Sequence, residues 1–296
     1  MKQVMILLMS AVLVVGFFGI AGADLFGPNG EGNPWYLPAI PDHLIPTYDG
    51  DLSDWAFMPD QYVYTPDFFA SFGNWTDAEA AVPKDDWDII IYGPAWIPSM
   101  NMVTFAAHVV DDLLYVPSEN LQDAWKEEGM QWATDADHGH DPKENSEEYQ
   151  QNFFTPKQGG HVGLFGPEEL WWEFEEPYCY WGWTPPPGAG SPAGYDFEIA
   201  IALWDHLDPA GEGASTRHMM EAGQIIGFSI EAYDADGEAD PVAPYEFPDV
   251  EFDFGNTAIG GEVLPNWLLL SVEESDMPAV AVESSTWGRI KSTFTK

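Results

Sequence analysis

Pairs of aspartates follow several predicted strands, with a spacing that could gather their carboxylates around a hard cation. Alternate residues of an extended segment point to the same side, so Asp135 and Asp137 could converge on one ion. Asp234 and Asp236 repeat the arrangement. Calcium accepts carboxylate, carbonyl and water oxygens without strict geometry. The candidate ligands are Asp111, Asp112, Asp135, Asp137, Asp141, Asp234 and Asp236.

Each acidic group has an alternative interpretation as a solvated turn, because aspartate is a common turn former at strand ends. Neither Asp135 nor Asp234 is followed by the series of ligands that a helix–loop–helix calcium site requires. Asp49, Asp51 and Asp54 form a further group with the same two interpretations. Both stay open for any single group, and we expect structural calcium at one or more of them.

Side chains that could bind softer metals are few. His138 and His140 form a His-x-His pair of the kind that binds zinc or copper. No third soft ligand lies nearby in the sequence, and the alternative is two loop histidines, one of them supporting a calcium ligand. Cys179 is the single cysteine, which excludes an intrachain disulfide. We expect its thiol to pack among aromatic rings rather than to react.

The segment from Trp171 to Trp183 holds seven aromatic rings in thirteen residues. A strand that buries Trp171 must show Trp172 to its opposite face. Exposed flat rings can stack on the apolar face of a sugar, and nearby carboxylates can accept hydrogen bonds from its hydroxyl groups. The alternative is a segment that seals the end of the domain or contacts a partner subunit. Trp96 is a further candidate, in a turn predicted at 93–96. The candidate ligand-binding residues are Trp96, Trp171, Trp172, Tyr180, Trp181 and Trp183.

The composition is strongly acidic. The 296 residues include 50 Asp and Glu against 9 Lys and Arg, which gives a formal net charge of −41. So few basic residues exclude a nucleic-acid binder and argue against docking on anionic membranes. A hydrophobic content of 45% with 15% aromatic residues argues for a folded domain, since disordered acidic chains are poor in both. Bound divalent cations would reduce the self-repulsion, and so would high salt.

Short apolar runs with a period of two, broken by Gly, Pro and Asp, predict β-strands through most of the chain. In the run 224–233, Ile226, Phe228 and Ile230 fall on one face, and residues 102–110 behave similarly. Further strands are predicted at 88–92, 161–165, 197–204 and 267–272.

Helical patterns are scarce. A short helix is predicted from Ser118, as its cap, to Glu128. Many short strands joined by turn-rich loops predict an all-β fold, a two-sheet antiparallel β-sandwich of jelly-roll-like type with one short helix. Long loops are predicted at 135–160, 184–194 and 234–248.

The amino terminus has the pattern of an export signal. Lys2 precedes an uncharged apolar run, residues 4–20, and the small residues 21–23 suit cleavage. A retained membrane anchor is the alternative. We therefore expect a protein that is secreted, held at the cell surface or periplasmic, with no membrane insertion after cleavage. The predicted organisation is a signal peptide at 1–23, a leader segment at 24–45 and the sandwich at 46–296.

The order of several short phrases resembles family 9 carbohydrate-binding modules and the related DOMON sandwiches. Pro46-Thr47-Tyr48-Asp49-Gly50-Asp51-Leu52-Ser53-Asp54-Trp55 is similar to the phrase that opens those modules. The resemblance spans about residues 46–294. The further phrases, in chain order, are Ala106–Asp112, Trp132–His138, Phe197–Ile201, Gly223–Phe228, Asp234–Asp236 and Trp287–Lys291.

The resemblance implies a β-sandwich with structural calcium that holds sugar units between tryptophans. The stretch 166–194 departs from the pattern as an insertion, so the family does not assign the sugar-holding pair. Related sandwiches bind haem through Met and His, which makes Met100, Met102 and His108 an alternative site. The implied calcium positions are near Asp111, Asp135, Asp137, Asp234 or Asp236.

The leading hypothesis is an exported, non-catalytic module that binds a polysaccharide or glycan. The alternative is a calcium-dependent structural or adhesive surface protein that self-associates through the same fold. A glycoside hydrolase would need two carboxylates about 5 to 10 Å apart. With 50 acidic residues some pair meets that spacing by chance, and nothing distinguishes an acid from a nucleophile among Glu173, Glu175 and Glu176. Catalysis stays open, and no catalytic residue is assigned.

Overall fold

The computed structural model describes residues 34–65, 87–112, 114, 116, 120–137, 149–157, 160–184, 193–234, 250–253 and 264–278. Its strands are β1 (Trp35–Leu37), β2 (Val63–Tyr64), β3 (Trp87–Ile97), β4 (Met102–Asp111), β5 (Gly129–Asp135), β6 (Gln150–Thr155), β7 (His161–Leu164), β8 (Cys179–Thr184), β9 (Ala193–Ile201), β10 (Trp204–His206), β11 (Thr216–Arg217), β12 (Ile225–Asp234), β13 (Val250–Asp253) and β14 (Asn266–Leu269).

These strands form two main sheets and a small hairpin. Sheet A has the order β1-β14-β12-β5-β6-β7, with β13 also paired to β12, and sheet B has the order β2-β3-β4-β9-β8. Strands β10 and β11 form the hairpin. Pairing between these strands is antiparallel except for β1 with β14. The predicted all-β sandwich is confirmed.

The core lies between the inner faces of the two sheets. The ring of Phe105 in sheet B lies 5.7 Å from Trp132 and 6.3 Å from Phe228, both in sheet A. On β12 the period of two is confirmed, since Ile226, Phe228 and Ile230 all belong to this core. Burial of these rings is the main favourable term in docking one sheet on the other.

A second apolar layer covers the outer face of sheet B. It is built from short 3₁₀ helices and the β10–β11 hairpin packed on residues such as Ala106 and Ala200. Sheet B is therefore buried on both faces, which explains the near-continuous apolar sequence of β3 and β4. The 3₁₀ helices are Asp42–Leu44, Leu52–Phe57, Asp60–Tyr62, Leu121–Lys126 and Glu168–Phe174.

The structure corrects three local expectations. Part of the predicted leader 24–45 is β1, which pairs with β14 in sheet A. The predicted loop 135–160 contains β6, whose Phe153 and Phe154 are fully buried. The short helix is a 3₁₀ helix, and Asn120 caps it by accepting a hydrogen bond of 3.2 Å from the Gln122 N–H.

Other expectations fall outside the described residues. These include the predicted signal peptide 1–23, the cap Ser118 and the closing phrase Trp287–Lys291. Across the described part of the chain, no helix is long and apolar enough to cross a membrane.

Candidate functional site

Three carboxylates from distant parts of the chain meet at one end of the sandwich. Asp111 is the last residue of β4, Asp234 is the last residue of β12, and Glu128 directly precedes β5. One ligand oxygen from each lies within 4.8 Å of the other two. The side chains are buried, with 2% exposure at most. We call Asp111, Glu128 and Asp234 the carboxylate centre.

Strand pairing explains why these residues meet. Strands β5 and β12 are antiparallel with Tyr233 opposite Gly129, so Asp234 and Glu128 lie next to each other beyond that pair. Strand β4 belongs to the other sheet and contributes Asp111. The centre therefore joins strand ends from both sheets, and a bound ion there would connect the two layers.

Tyr195, in β9, faces the carboxylate centre. Its side chain is 3% exposed, and within the described part of the chain its hydroxyl has no hydrogen-bond partner. Burial raises the pKa of Tyr195 well above its usual value, and the charges of Glu128, Asp111 and Asp234 raise it further. A neutral hydroxyl oxygen thus lies beside three acidic side chains.

The chemistry of this group fits a calcium ion. Buried like charges oppose one another's ionisation, and a cation bound among three adjacent carboxylates would offset that repulsion. The carboxylate centre offers hard oxygen donors, as calcium and magnesium prefer, with no sulfur or imidazole among them. Oxygens on opposite sides of a calcium ion lie about 5 Å apart, so three ligand oxygens within 4.8 Å of one another are close enough to share one ion.

Among the described residues, three predicted calcium ligands lie outside this centre. Asp112 is exposed, although it follows Asp111 directly. Asp135 is half-buried at the far end of β5, about 20 Å of strand away from Glu128, and Asp137 lies exposed in the turn beyond it. Of the two predicted pairs, Asp111 with Asp112 and Asp135 with Asp137, only Asp111 belongs to the centre. Asp141 and Asp236, and the histidines His138 and His140, lie outside the described residues.

Glu128 and Tyr195 are members of the site that the sequence analysis missed. The available signal for Glu128 was an acidic pair, Glu127-Glu128, directly before the strand that starts at Gly129. Its partnership with Asp234 depends on the register between β5 and β12, which local sequence patterns do not specify. Tyr195 carries no sequence signal beyond its place in an apolar strand.

The turn interpretation holds for Asp49, Asp51 and Asp54. Asp49 accepts a hydrogen bond of 3.0 Å from the Asp51 N–H, and Asp51 accepts one of 3.0 Å from the Ser53 N–H. Asp54 accepts one of 2.7 Å from the Thr47 N–H. These carboxylates therefore hold the local backbone of the opening phrase.

Two tryptophans lie side by side on the edge strand of sheet B. Trp181 and Trp183 are two residues apart on β8, so they project from the same face, about 7 Å apart along the strand. Both are half-buried and pack on the rim of the core between the sheets. The Trp183 ring lies 5.9 Å from Phe154 and also covers Gly160. We call Trp181 and Trp183 the indole edge.

Trp171, Trp172 and Tyr180 occupy the outer layer of sheet B instead. Trp171 and Trp172 lie on a 3₁₀ helix rather than a strand. The indole N–H of Trp171 donates to the Leu164 carbonyl at 3.0 Å, and that of Trp172 donates to the Asp208 carbonyl at 3.1 Å. Tyr180 stacks on a neighbouring tyrosine with ring centroids 6.3 Å apart. All three are half-buried and seal this layer.

Trp96 does not form an exposed platform. It is 4% exposed, and its indole N–H donates to the Leu270 carbonyl at 2.9 Å. The cis peptide bond Gly93–Pro94 precedes it within β3, so the expected turn is part of a strand. Cys179 is buried in the core between the sheets, where burial raises the pKa of its thiol.

The chain is similar to known proteins in its three-dimensional structure, and the matches are solved structures. No family model matches the chain, and no curated protein matches it. The structure is similar to a family 9 carbohydrate-binding module from Caldicellulosiruptor kristjanssonii in complex with cellotriose. The TM-score is 0.48 and the identity 14%, over 84% of this chain and 99% of that one. The same module in complex with glucose matches with a TM-score of 0.48 and 14% identity, over 79% and 94% of the two chains.

The structure removes the haem alternative. Met102 and His108 lie six residues apart on β4, about 20 Å along an extended strand, which is too far for two ligands of one iron. Met102 is buried, Met100 packs on the outer layer, and Nδ1 of His108 lies 2.5 Å from Oδ1 of Asp196.

The acidic residues of the aromatic segment lie in different environments. Glu173 is 1% exposed, and burial raises its pKa well above the usual value. Glu175 and Glu176 are exposed on the turn that follows. Burial therefore distinguishes Glu173 from its two neighbours, and no catalytic pair is assigned among the three.

Proposed function

We propose that this protein is an exported, non-catalytic carbohydrate-binding β-sandwich stabilised by calcium. The observation that carries the binding half is the indole edge. Trp181 and Trp183 are two half-buried rings on one face of an edge strand at the rim of the core between the sheets, whereas Trp171 and Trp172 pack in the outer layer. Adjacent flat apolar surfaces of this kind suit the apolar faces of neighbouring sugar units.

The carboxylate centre supports the calcium half of the proposal. It joins the ends of strands from both sheets, and its donors are hard oxygens close enough together to share one calcium ion. An ion there would also offset part of the formal charge of −41. Because an ion that binds the folded chain alone shifts the folding equilibrium, calcium is expected to stabilise the sandwich.

Export is the third part of the proposal, and it is supported by the sequence of residues 1–23. Their short basic start, apolar run and small residues before the cleavage position have the pattern of a signal peptide. The protein would then act outside the cytoplasm, whether secreted, held on the cell surface or kept in the periplasm. Detection of an amino terminus at Asp24 in the exported fraction would test this part.

Saccharide binding can be tested with the chain starting at Asp24, in calcium, by titration calorimetry and affinity electrophoresis against a panel of polysaccharides. We expect binding that Trp181→Ala and Trp183→Ala each weaken by about fivefold, which corresponds to about 1 kcal/mol for each stacked ring. Trp171→Ala is the matched control, since it removes a half-buried indole of the same segment that lies in the outer layer. Binding that Trp171→Ala abolishes and the other two variants leave intact would place the site elsewhere.

A second candidate function is supported by the position of β8. Within the described residues this strand pairs with β9 alone, so its other side is a sheet edge bearing two half-exposed rings. Such an edge can also pair with a second copy of the chain, as in a calcium-dependent adhesive or fibrous protein. Sedimentation analysis with and without calcium distinguishes the two, because assembly predicts a mass that rises with calcium and falls again in Trp183→Ala.

A further inference from the structure

A chain of packed rings connects the carboxylate centre with the indole edge. The Tyr195 ring, which faces the centre, lies 5.5 Å from the ring of Phe154. Phe154 is fully buried, and its ring lies 5.9 Å from Trp183. It also stacks on Phe197 at 4.2 Å, which fixes its position in the core. Because a packed interior transmits strain, this chain of rings is a physical route from Tyr195 to Trp183.

A second connection runs through the backbone beside Glu128. The preceding residue, Glu127, is buried, and its Oε2 lies 3.1 Å from Nζ of Lys157. The carbonyl of Lys157 accepts a hydrogen bond of 2.6 Å from the Gly160 N–H. Gly160 has a φ of +62° and lies against the indole of Trp183, so closely that an added Cβ would come within 2.7 Å of Cδ1. Lys157 thus links Glu127, the neighbour of a proposed calcium ligand, to the backbone segment that packs against Trp183.

We propose that calcium at the carboxylate centre positions Trp183, so that calcium binding and saccharide binding are positively coupled. The inference rests on the proposed function and adds a form of regulation to the same site. Without an ion, repulsion among the carboxylates moves Glu128 away from Asp111 and Asp234. That movement displaces Tyr195 on one side and Glu127 with Lys157 on the other. Both displacements reach Trp183, one through Phe154 and the other through Gly160.

The hydroxyl of Tyr195 is the independent observation that points to an ion at this centre. It is buried and faces three carboxylates, yet it makes no hydrogen bond within the described part of the chain. A bound ion would draw the carboxylates together and give this hydroxyl oxygen a partner, directly or through a coordinated water.

Coupling is reciprocal, which provides a direct test. If calcium tightens saccharide binding by a given factor, the saccharide must tighten calcium binding by the same factor. Calorimetry on the chain starting at Asp24, with the best polysaccharide fragment of the panel, would give both dissociation constants. We expect the two factors to agree and to lie between about 5 and 150. A saccharide dissociation constant that is the same in calcium and in chelator would overturn the inference and leave the proposed function intact.

A measurement without saccharide separates the inference from the proposed function. Hydrogen exchange at the Gly160 amide, which is bonded to the Lys157 carbonyl, should slow when calcium alone is added. Unchanged exchange with calcium demonstrably bound would reject the coupling, whatever the chain binds. Slowed exchange in a protein that binds no polysaccharide would keep the mechanical link and reject the saccharide function.

Lys157→Gln tests the backbone route. The variant loses the ion pair with Glu127 but keeps every member of the carboxylate centre and of the indole edge. We expect near-native calcium affinity together with a coupling factor that falls by severalfold, and we expect Lys157→Arg to restore the factor because it keeps the charge. An unchanged factor in Lys157→Gln would exclude this route. If Lys157→Gln is too unstable for calorimetry, hydrogen exchange at Gly160 in that variant gives the same answer, because protection by calcium that matches the wild type would exclude this route.

Discussion

The buried carboxylate of Glu198 accepts a hydrogen bond of 2.7 Å from the indole N–H of Trp55. Its other oxygen accepts bonds of 2.6 Å each from the backbone N–H groups of Asp49 and Gly50. One side chain of β9 therefore fixes both ends of the opening phrase to the outer face of sheet B. The phrase Phe197–Ile201 is thus joined to the opening phrase, far away in the sequence, by the carboxylate of Glu198.

Glu198 predicts a dependence of stability on pH. Burial raises its pKa to about 7 from the usual 4.5, although the hydrogen bonds from Trp55, Gly50 and Asp49 oppose the rise. Between these two values the folded chain holds a proton that the unfolded chain has released. The free energy of unfolding should therefore fall as the pH rises through this window, by about 3 kcal/mol in total. Urea denaturation at closely spaced pH values measures the slope.

Glu198→Gln is the control for this assignment, because other acids titrate in the same range. The amide cannot ionise, so the variant should lack the part of the pH slope that belongs to residue 198. It should be less stable at low pH, since an amide cannot accept from all three donors and still satisfy its own N–H groups. Identical slopes in both proteins would show that Glu198 keeps an ordinary pKa.

Trp55→Phe tests the hydrogen bond itself. The change removes the donor to Glu198 and leaves a small cavity in a fully buried position. We expect a loss of about 3 kcal/mol in the free energy of unfolding. Trp204→Phe is the matched control, because Trp204 is also buried but its indole N–H has no hydrogen-bond partner in the described part of the chain. Equal losses in the two variants would mean that the bond to Glu198 contributes nothing measurable.

Gly50 tests the close approach of the opening phrase to β8. Its φ is +84°, and an added Cβ would come within 2.7 Å of the backbone nitrogen of Thr184. Gly50→Ala should lose about 3 kcal/mol of stability through backbone strain and overlap together. Gly211→Ala is the control, because Gly211 has a φ of +96° with nothing near the new methyl group. It should lose about 1 kcal/mol by strain alone. Similar losses at both positions would exclude a contribution from the contact with β8.

Sequence reasoning succeeds where the determining pattern is local. The alternation of Ile226, Phe228 and Ile230 predicts a strand with one apolar face, and these residues form the core. Sequence reasoning fails where a segment that is distant in the sequence determines whether a residue is buried. Ser229 and Glu231 fall on the opposite face and are buried as well, because the period of a strand does not reveal what covers its second side.

The same limit explains the outcome at the candidate site. Asp111 and Asp234 are recognisable as acids at strand ends, but the antiparallel register that adds Glu128 is a long-range property. Trp35–Leu37 has the composition of a leader, and only its parallel pairing with β14 makes it part of sheet A. The local sequence predicts an exposed turn at Trp96. Nothing near this residue in the sequence indicates that its indole N–H will donate a hydrogen bond to the Leu270 carbonyl.

The carboxylate centre gives a prediction in which one substitution has opposite effects in two states. Asp111→Asn removes one of three repelling charges, so in chelator the variant should be more stable than the wild type, by about 1 kcal/mol. In saturating calcium it should be less stable, because each tenfold loss of calcium affinity removes about 1.4 kcal/mol of ligand stabilisation. Thermal unfolding with calcium and with chelator gives both signs. Asp112→Asn is the matched control, since its exposed carboxylate lies outside the centre and should leave both states unchanged. If Asp111→Asn destabilised the protein equally in calcium and in chelator, Asp111 would hold the fold together without an ion.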